Sequence, residues 1–177
     1  IETNFFYTTK EMEKKGLERA DIILGISDTE TNYYRDLVDR TCIWLGHSFE
    51  NKFISSRKKI VKKIRYGFIG SKNQVNSENI KVFISELENH YANEEKNFEL
   101  IIAGDCCSDL NEFENIKWLN LKGRVDKIED FYQNIDCVVV PLFFGTGQKI
   151  KTIEALSYGM PLLSSSHASL GIGTKSE

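Results

Sequence analysis

Short apolar runs alternate along the chain with longer stretches in which apolar residues recur every three or four positions. Residues 22–26, 66–69, 98–103, 116–121, 137–140 and 161–163 form mainly apolar stretches of strand length, the pattern of strands buried in a sheet. After the second run, Ile80, Phe83, Ile84, Leu87 and Tyr91 fall on one face of a helix predicted to begin near Ser77. The separation of Tyr66 from Phe98 matches the ~30 residues of a parallel strand–helix–strand crossover. From residue 65 onward the pattern predicts an α/β fold, a doubly wound parallel sheet. Earlier in the chain it predicts a helix at 10–19, a strand at 22–26, a helix at 28–38 and a strand at 42–45, the end of another α/β unit. The expected organisation is residues 1–54 as that remnant, 55–65 as a basic linker and 66–177 as the main domain.

Composition narrows the function classes. Of 177 residues, 41% are hydrophobic and 28% charged, which supplies a core and excludes wholesale disorder. A net charge of -3 excludes a general nucleic-acid coat, so any anion must be held locally. Cys42, Cys106, Cys107 and Cys137 contain no Cys-x-x-Cys pair, which fits neither zinc-ligand spacing nor a disulfide framework and suggests a reducing setting. The apolar run 138–144 carries a proline and is far shorter than the ~20 residues of a membrane span. A cytoplasmic, non-spanning protein is expected. Arg57, Lys58, Lys59, Lys62, Lys63 and Arg65 make a dense basic run, suited either to a solvated connector or to peripheral contact with an anionic membrane face.

Helix starts carry partial positive charge, so acids and small polar caps normally gather there. Thr8 with Glu11, Ser27 with Glu30 and Asp126 with Glu129 have capping-box spacing, and Ser77 precedes Glu78. The helix predicted after strand 137–140 opens instead with Gln148, Lys149, Ile150 and Lys151. Two lysines stand where acids belong, and an incoming anion would reverse the sign of that arrangement. Gly145-Thr146-Gly147 lies just before them. Strand, glycine turn and helix N-terminus describe a phosphate site, although the same turn could merely connect the two elements. A P-loop would need Gly before its Lys-Ser/Thr pair, and a dinucleotide fingerprint would need Gly at Ile150, so neither motif is present.

Glu154 follows Ile150 by one turn, about 40° around the helix from that apolar position, and is expected to lie toward the inner half. It reads either as an i, i+3 partner for Lys151 or as an acceptor for the paired hydroxyls of a ribose. Gly159-Met160-Pro161 ends the helix. Asp105, at a strand end, is placed either to face a ligand crevice or simply to form a turn. His47 and His167 lack partners at interpretable spacing and read as surface or loop residues.

Residues 141–162 resemble the donor-binding signature of the family 4, or group 1, retaining glycosyltransferases, which have the GT-B architecture of two Rossmann-like domains. Residues 20–27 are similar to the closing strand of that family's N-terminal domain, residues 66–70 and 100–104 to the first two strands of its donor domain, and Gly123-Arg124-Val125 to the turn beside the nucleotide base. The resemblance implies that Glu154 binds the ribose and that Gly147, Gln148, Lys149 and Ile150 receive the diphosphate. Lys72, Lys149 and Lys151 would share its charge, Arg124 would lie near the base, and Gly145 and Thr146 near the donor sugar. Where the family's usual signature has a glutamate that contacts that sugar, this sequence has Thr146. Lys151 and Glu154 are the residues expected to carry catalysis, with no metal and no cofactor beyond a UDP- or GDP-type nucleotide sugar as donor.

The implied activity is transfer of a sugar, with retention, from a nucleotide-diphosphate sugar to a hydroxyl of a glycan or lipid-linked acceptor in glycan or cell-surface polysaccharide synthesis. Residues 1–54 would be the end of an acceptor domain. With most of that domain missing and the last helices not reached by Glu177, the fragment alone is expected to bind nucleotide but to be poorly active. A sugar-nucleotide epimerase on the same fold and a non-enzymatic GT-B partner subunit are the alternatives.

Overall fold

The computed structural model describes residues 8–54, 63–91, 97–144 and 149–170. The chain divides into two compact units, Ile1–His47 and Ser48–Glu177. In the first, α1 (Lys10–Leu17), β1 (Ile22–Gly25), α2 (Asp28–Leu37) and β2 (Thr41–Trp44) follow in order. β1 and β2 pair in parallel, Ile22 opposite Thr41 through Gly25 opposite Trp44. Ile23, Leu37, Val38 and Cys42 form the core. α1 is capped by Thr9, which accepts from the Met12 N–H, one residue later than the predicted Thr8 cap. α2 is capped by the predicted Ser27, which accepts from Glu30 N–H at 3.1 Å.

The second unit holds β3 (Ile64–Ile69), α3 (Gln74–His90), β4 (Phe98–Ala103), β5 (Leu119–Gly123), α4 (Ile128–Gln133), β6 (Cys137–Val140), α5 (Ile150–Ser157) and β7 (Leu162–Ser164). Its five strands form one sheet in the order β5-β4-β3-β6-β7, with every pairing parallel. The predicted doubly wound α/β fold is therefore present. Alternate residues of β4 show why: Leu100 and Ile102 join Phe68, Ile80, Ile84 and Trp118 in one core, while Ile101 and Ala103 join Phe131, Tyr132, Val138, Val140 and Ala155 in another. A strand buried on both faces needs a mainly apolar run, and each Leu, Ile, Val or Phe so buried contributes roughly 1.5–3 kcal/mol on leaving water.

The basic run 55–65 ends inside the sheet instead of continuing as a linker. Ile64 and Arg65 belong to β3, and Arg65 is clamped to Asp136, its Nη2 lying 3.0 Å from Oδ1 while its backbone N–H donates to Oδ2 at 2.8 Å. A half-buried arginine joined to the start of β6 is a structural tie, not a solvated charge. Residues 55–62 of the run lie outside the described residues. Ahead of it, Lys52 and Ile54 donate backbone hydrogen bonds to the carbonyls of Ser157 and Tyr158, so this segment packs on the end of α5. Among the described residues no helix is long and apolar enough to cross a membrane.

Because β3 lies between β4 and β6, the chain leaves β3 in one direction through α3 and returns past it through α4. Strand order reverses between β3 and β6, and in such sheets the crevice beyond the strand C-termini at this reversal is where ligands bind.

Candidate functional site

The turn after β3 and the loop after β6 frame that crevice. The first turn of α3 begins three residues earlier than the apolar periodicity predicts, because Asn73 caps it, its Oδ1 accepting from the Asn76 N–H at 2.9 Å. That correction changes the electrostatics. With Gln74, Val75 and Asn76 as its opening residues, α3 has no acid in its first turn, and neither has α5. The other three α-helices among the described residues have acids there. The sequence marks one helix start as lacking its acids; among the described residues the structure has two, and they begin at the same crevice.

The opening has a volume of about 610 Å³, within the range of small-molecule sites. Gly70, Ser71 and Asn76 border it from the β3 side, Gly104 and Asp105 from the end of β4, Arg124 from beyond β5, and Lys149, Ile150, Lys151 and Glu154 from α5. Gly104 is what allows β3 and β4 to end so close together. Its φ is +92°, a backbone region nearly closed to other residues, and a Cβ there would lie 2.2 Å from the Gly70 carbonyl oxygen.

The charged groups of α5 are unequally placed. Lys149 is buried, and burial lowers its pKa. The Lys151 ammonium donates to Asn76 Oδ1 and lies 5.0 Å from the centre of the Phe68 ring. Its pKa falls to about 8, chiefly through desolvation, with Lys149 lowering it further while Cys106 and Glu154 act the other way. Glu154 accepts from the Tyr132 hydroxyl at 3.2 Å. That hydroxyl is buried, and burial followed by the Glu154 charge raises its pKa, so it remains a donor holding one carboxylate oxygen. Ile150, taken from the sequence as an inward position, is 49% exposed at the crevice edge. Glu154, on the same side, is therefore turned toward the opening, not into the core.

Asn79 fixes the loop after β6. Fully buried, it accepts from the Phe143 N–H at 2.6 Å and donates to the Val75 and Phe144 carbonyls. One side chain of α3 thereby sets the path of the chain as it approaches α5.

Of the predicted site residues, Arg124, Lys149, Ile150, Lys151 and Glu154 converge on the crevice. Lys72 does not border it; its ammonium pairs with Asp109 Oδ1 at 3.0 Å, and Asp109 also accepts from the Ser77 hydroxyl. Gly145, Thr146, Gly147 and Gln148 lie outside the described residues. Asp105 does face the crevice. The expected Asp126–Glu129 capping box is absent: α4 follows Lys127 without a side-chain cap, and the Glu129 carboxylate instead takes Lys52 and the Tyr158 hydroxyl. Sequence reasoning missed Asn76. Its signal was the pair Asn73 and Asn76, at helix-cap spacing directly after the strand end.

The family model described as "Glycosyl transferases group 1" matches residues 63–174. Among solved structures, TarM is similar at 16% identity with a TM-score of 0.66, over 92% of this chain and 34% of that one. Anabaena Alr3699/HepE, solved with UDP and glucose, is similar at 12% identity with a TM-score of 0.63, over 89% and 48%. An S. aureus TarM variant in complex with fondaparinux, alpha-GlcNAc-glycerol and UDP is similar at 13% identity with a TM-score of 0.59, over 93% and 34%. The chain thus spans about a third to a half of the length of these structures, which share its α/β, GT-B-type fold. The search of curated proteins found no match.

Proposed function

This chain belongs to the group 1 glycosyltransferases, and on that premise we propose that its second unit binds the donor in a transfer of sugar from a nucleotide-diphosphate sugar to an acceptor hydroxyl. The observation that carries the reading is the meeting of two acid-free helix starts, α3 and α5, at one crevice that also receives Lys149, Lys151 and, one turn further along α5, Glu154. The N–H groups opening a helix have no acceptor within it, and with the helix dipole they favour an anion. A diphosphate at the start of α5 puts the attached ribose within reach of the Glu154 carboxylate and the base toward Arg124. UDP in the HepE and TarM complexes supports a UDP-type donor for this chain, with GDP as the competing base.

Loss of the nucleoside diphosphate develops negative charge on the leaving oxygen and oxocarbenium character on the sugar. Ammonium groups already desolvated at the crevice meet the first without reorganising, which is the source of such electrostatic catalysis. Retention follows, in this proposal, from attack by the acceptor hydroxyl on the face the diphosphate leaves, so no protein nucleophile is needed. The acceptor is a glycan or lipid-linked hydroxyl, and the first unit belongs to the domain that binds it. The setting proposed is cytoplasmic, with the basic residues from Arg57 to Lys63, ahead of β3, against an anionic membrane face.

Glu154→Ala separates the two meanings of this carboxylate. As a ribose acceptor, its loss weakens UDP or GDP by about tenfold or more, the usual scale for hydrogen bonds to a charged group, and leaves the 2′,3′-dideoxy analogue unaffected in calorimetric titration. Equal losses for both nucleotides would reduce Glu154 to a partner of Lys151. Whole-protein product analysis by NMR tests retention: an α-linked donor must give an α-linked product.

A further inference from the structure

We infer that Asn76 is a positioning residue that fixes the Lys151 ammonium at the crevice and locks the two helix starts into one anion-binding unit. This deepens the donor-site reading and rests on it for the identity of the anion. Asn76 is only 5% exposed, yet its whole amide is engaged. Its Oδ1 accepts from Lys151, and its Nδ2 donates to the Ser71 carbonyl at 2.9 Å and toward the Ser71 hydroxyl at 3.3 Å. Its backbone N–H is held by the Asn73 cap. One side chain therefore joins the β3–α3 turn to the first turn of α5, across the point where strand order reverses.

The choice of an amide has a chemical reason. A carboxylate at this place would pair with Lys151 permanently, raise its pKa and stand as a negative charge beside an incoming phosphate. An apolar residue would leave the ammonium without an acceptor in a site that already desolvates it. The neutral carbonyl orients the ammonium while leaving its full charge for the ligand. Other groups acting on Lys151 are Glu154 from its own helix, Lys149 from the residue before it, Cys106 from the short helix after β4 and the Phe68 ring from β3. Only Asn76 among the described α3 residues bonds to it.

The test uses Asn76→Asp, which is nearly isosteric, and Asn76→Ala. Lys151 is followed by its pH-dependent reactivity toward reductive methylation, read by mass spectrometry on nucleotide-free protein, and UDP and GDP affinities are measured on the same samples. The wild-type midpoint is expected at about 8. In Asn76→Asp it should rise by about one pH unit or more, as an adjacent opposite charge requires, and in Asn76→Ala it should fall. Both variants should bind nucleoside diphosphate at least about tenfold more weakly at pH 7. Lys151 midpoints that stay at the wild-type value in both folded variants overturn the inference, even where affinity falls. If the midpoints move in opposite directions but the wild type binds neither UDP nor GDP, the positioning role stands and the donor-site reading fails.

Discussion

Replacing Lys151 by Met is expected to leave a folded protein, to preserve or raise its stability at pH 7, and to weaken nucleoside diphosphate binding by about 100-fold. The two effects have one cause. The ammonium is held charged in a place that desolvates it, as its pKa of about 8 against an ordinary 10.5 records. Keeping that charge costs folding free energy below pH 8, where folded and unfolded chains both carry it. Between about 8 and 10.5 the unfolded chain binds the proton more fully than the folded one, so stability rises with pH across this window. Methionine keeps the apolar stem and removes the charge, so this rise should vanish from denaturation midpoints measured at pH 7.5 and 10. Binding moves the other way, because a buried charge-assisted bond to phosphate is worth about 2–5 kcal/mol when one partner is removed. In the wild type, affinity should fall as pH increases through about 8. An unchanged affinity in the Met variant would remove Lys151 from the site.

Gly104→Ala should be the most damaging single-methyl change, lowering stability by at least about 3 kcal/mol. Its backbone, at φ 92° and ψ 179°, lies where a Cβ is strained irrespective of space. Space is also lacking, since the added carbon would lie 2.2 Å from the Gly70 oxygen and 3.0 Å from its carbonyl carbon. Neither strand end can yield cheaply: Gly70 N–H donates to Ala103, Cys106 N–H to the Gly70 carbonyl, and Gly104 N–H to Gly123 at 2.7 Å. Relief would have to open the β3–β4 junction, where Gly70 and Asp105 border the crevice. Denaturant unfolding checks the magnitude, and a loss under about 1 kcal/mol would show that this close approach is not fixed.

How far the sequence revealed these features depended on whether the determining contact was local. β4 and β6 occupy the residues their apolar runs predicted, because most of their positions are buried and Glu99, near the start of β4, is the one polar residue in either strand. β5 was expected at 116–121 but spans Leu119–Gly123. It is an edge strand, and Trp118, which looked like part of it, is spent in the preceding turn, buried in the same core as Phe68 and Leu100 with its ring 5.4 Å from that of Phe98. The continuous apolar face of α3 begins only at Ile80, so its opening turn, from which Val75 and Asn76 border the crevice, was invisible to periodicity; Asn73 as a cap locates it. Lys149 and Lys151 were legible because charges of the wrong sign at a helix start are a local anomaly, and Glu154 because it stands one turn beyond Ile150 on the same helix. Asp109 taking Lys72, and Asn76 holding Lys151, are contacts between distant parts of the chain that no spacing could disclose.

Isothermal titration of the folded protein with UDP, GDP and ADP at low salt, below pH 8, tests the central claim most directly. The account predicts saturable binding of at least one of them, weakened by raising either the pH or the salt and largely lost in Lys151→Met. A folded protein that binds none of the three, or one that binds as well without Lys151, would contradict it.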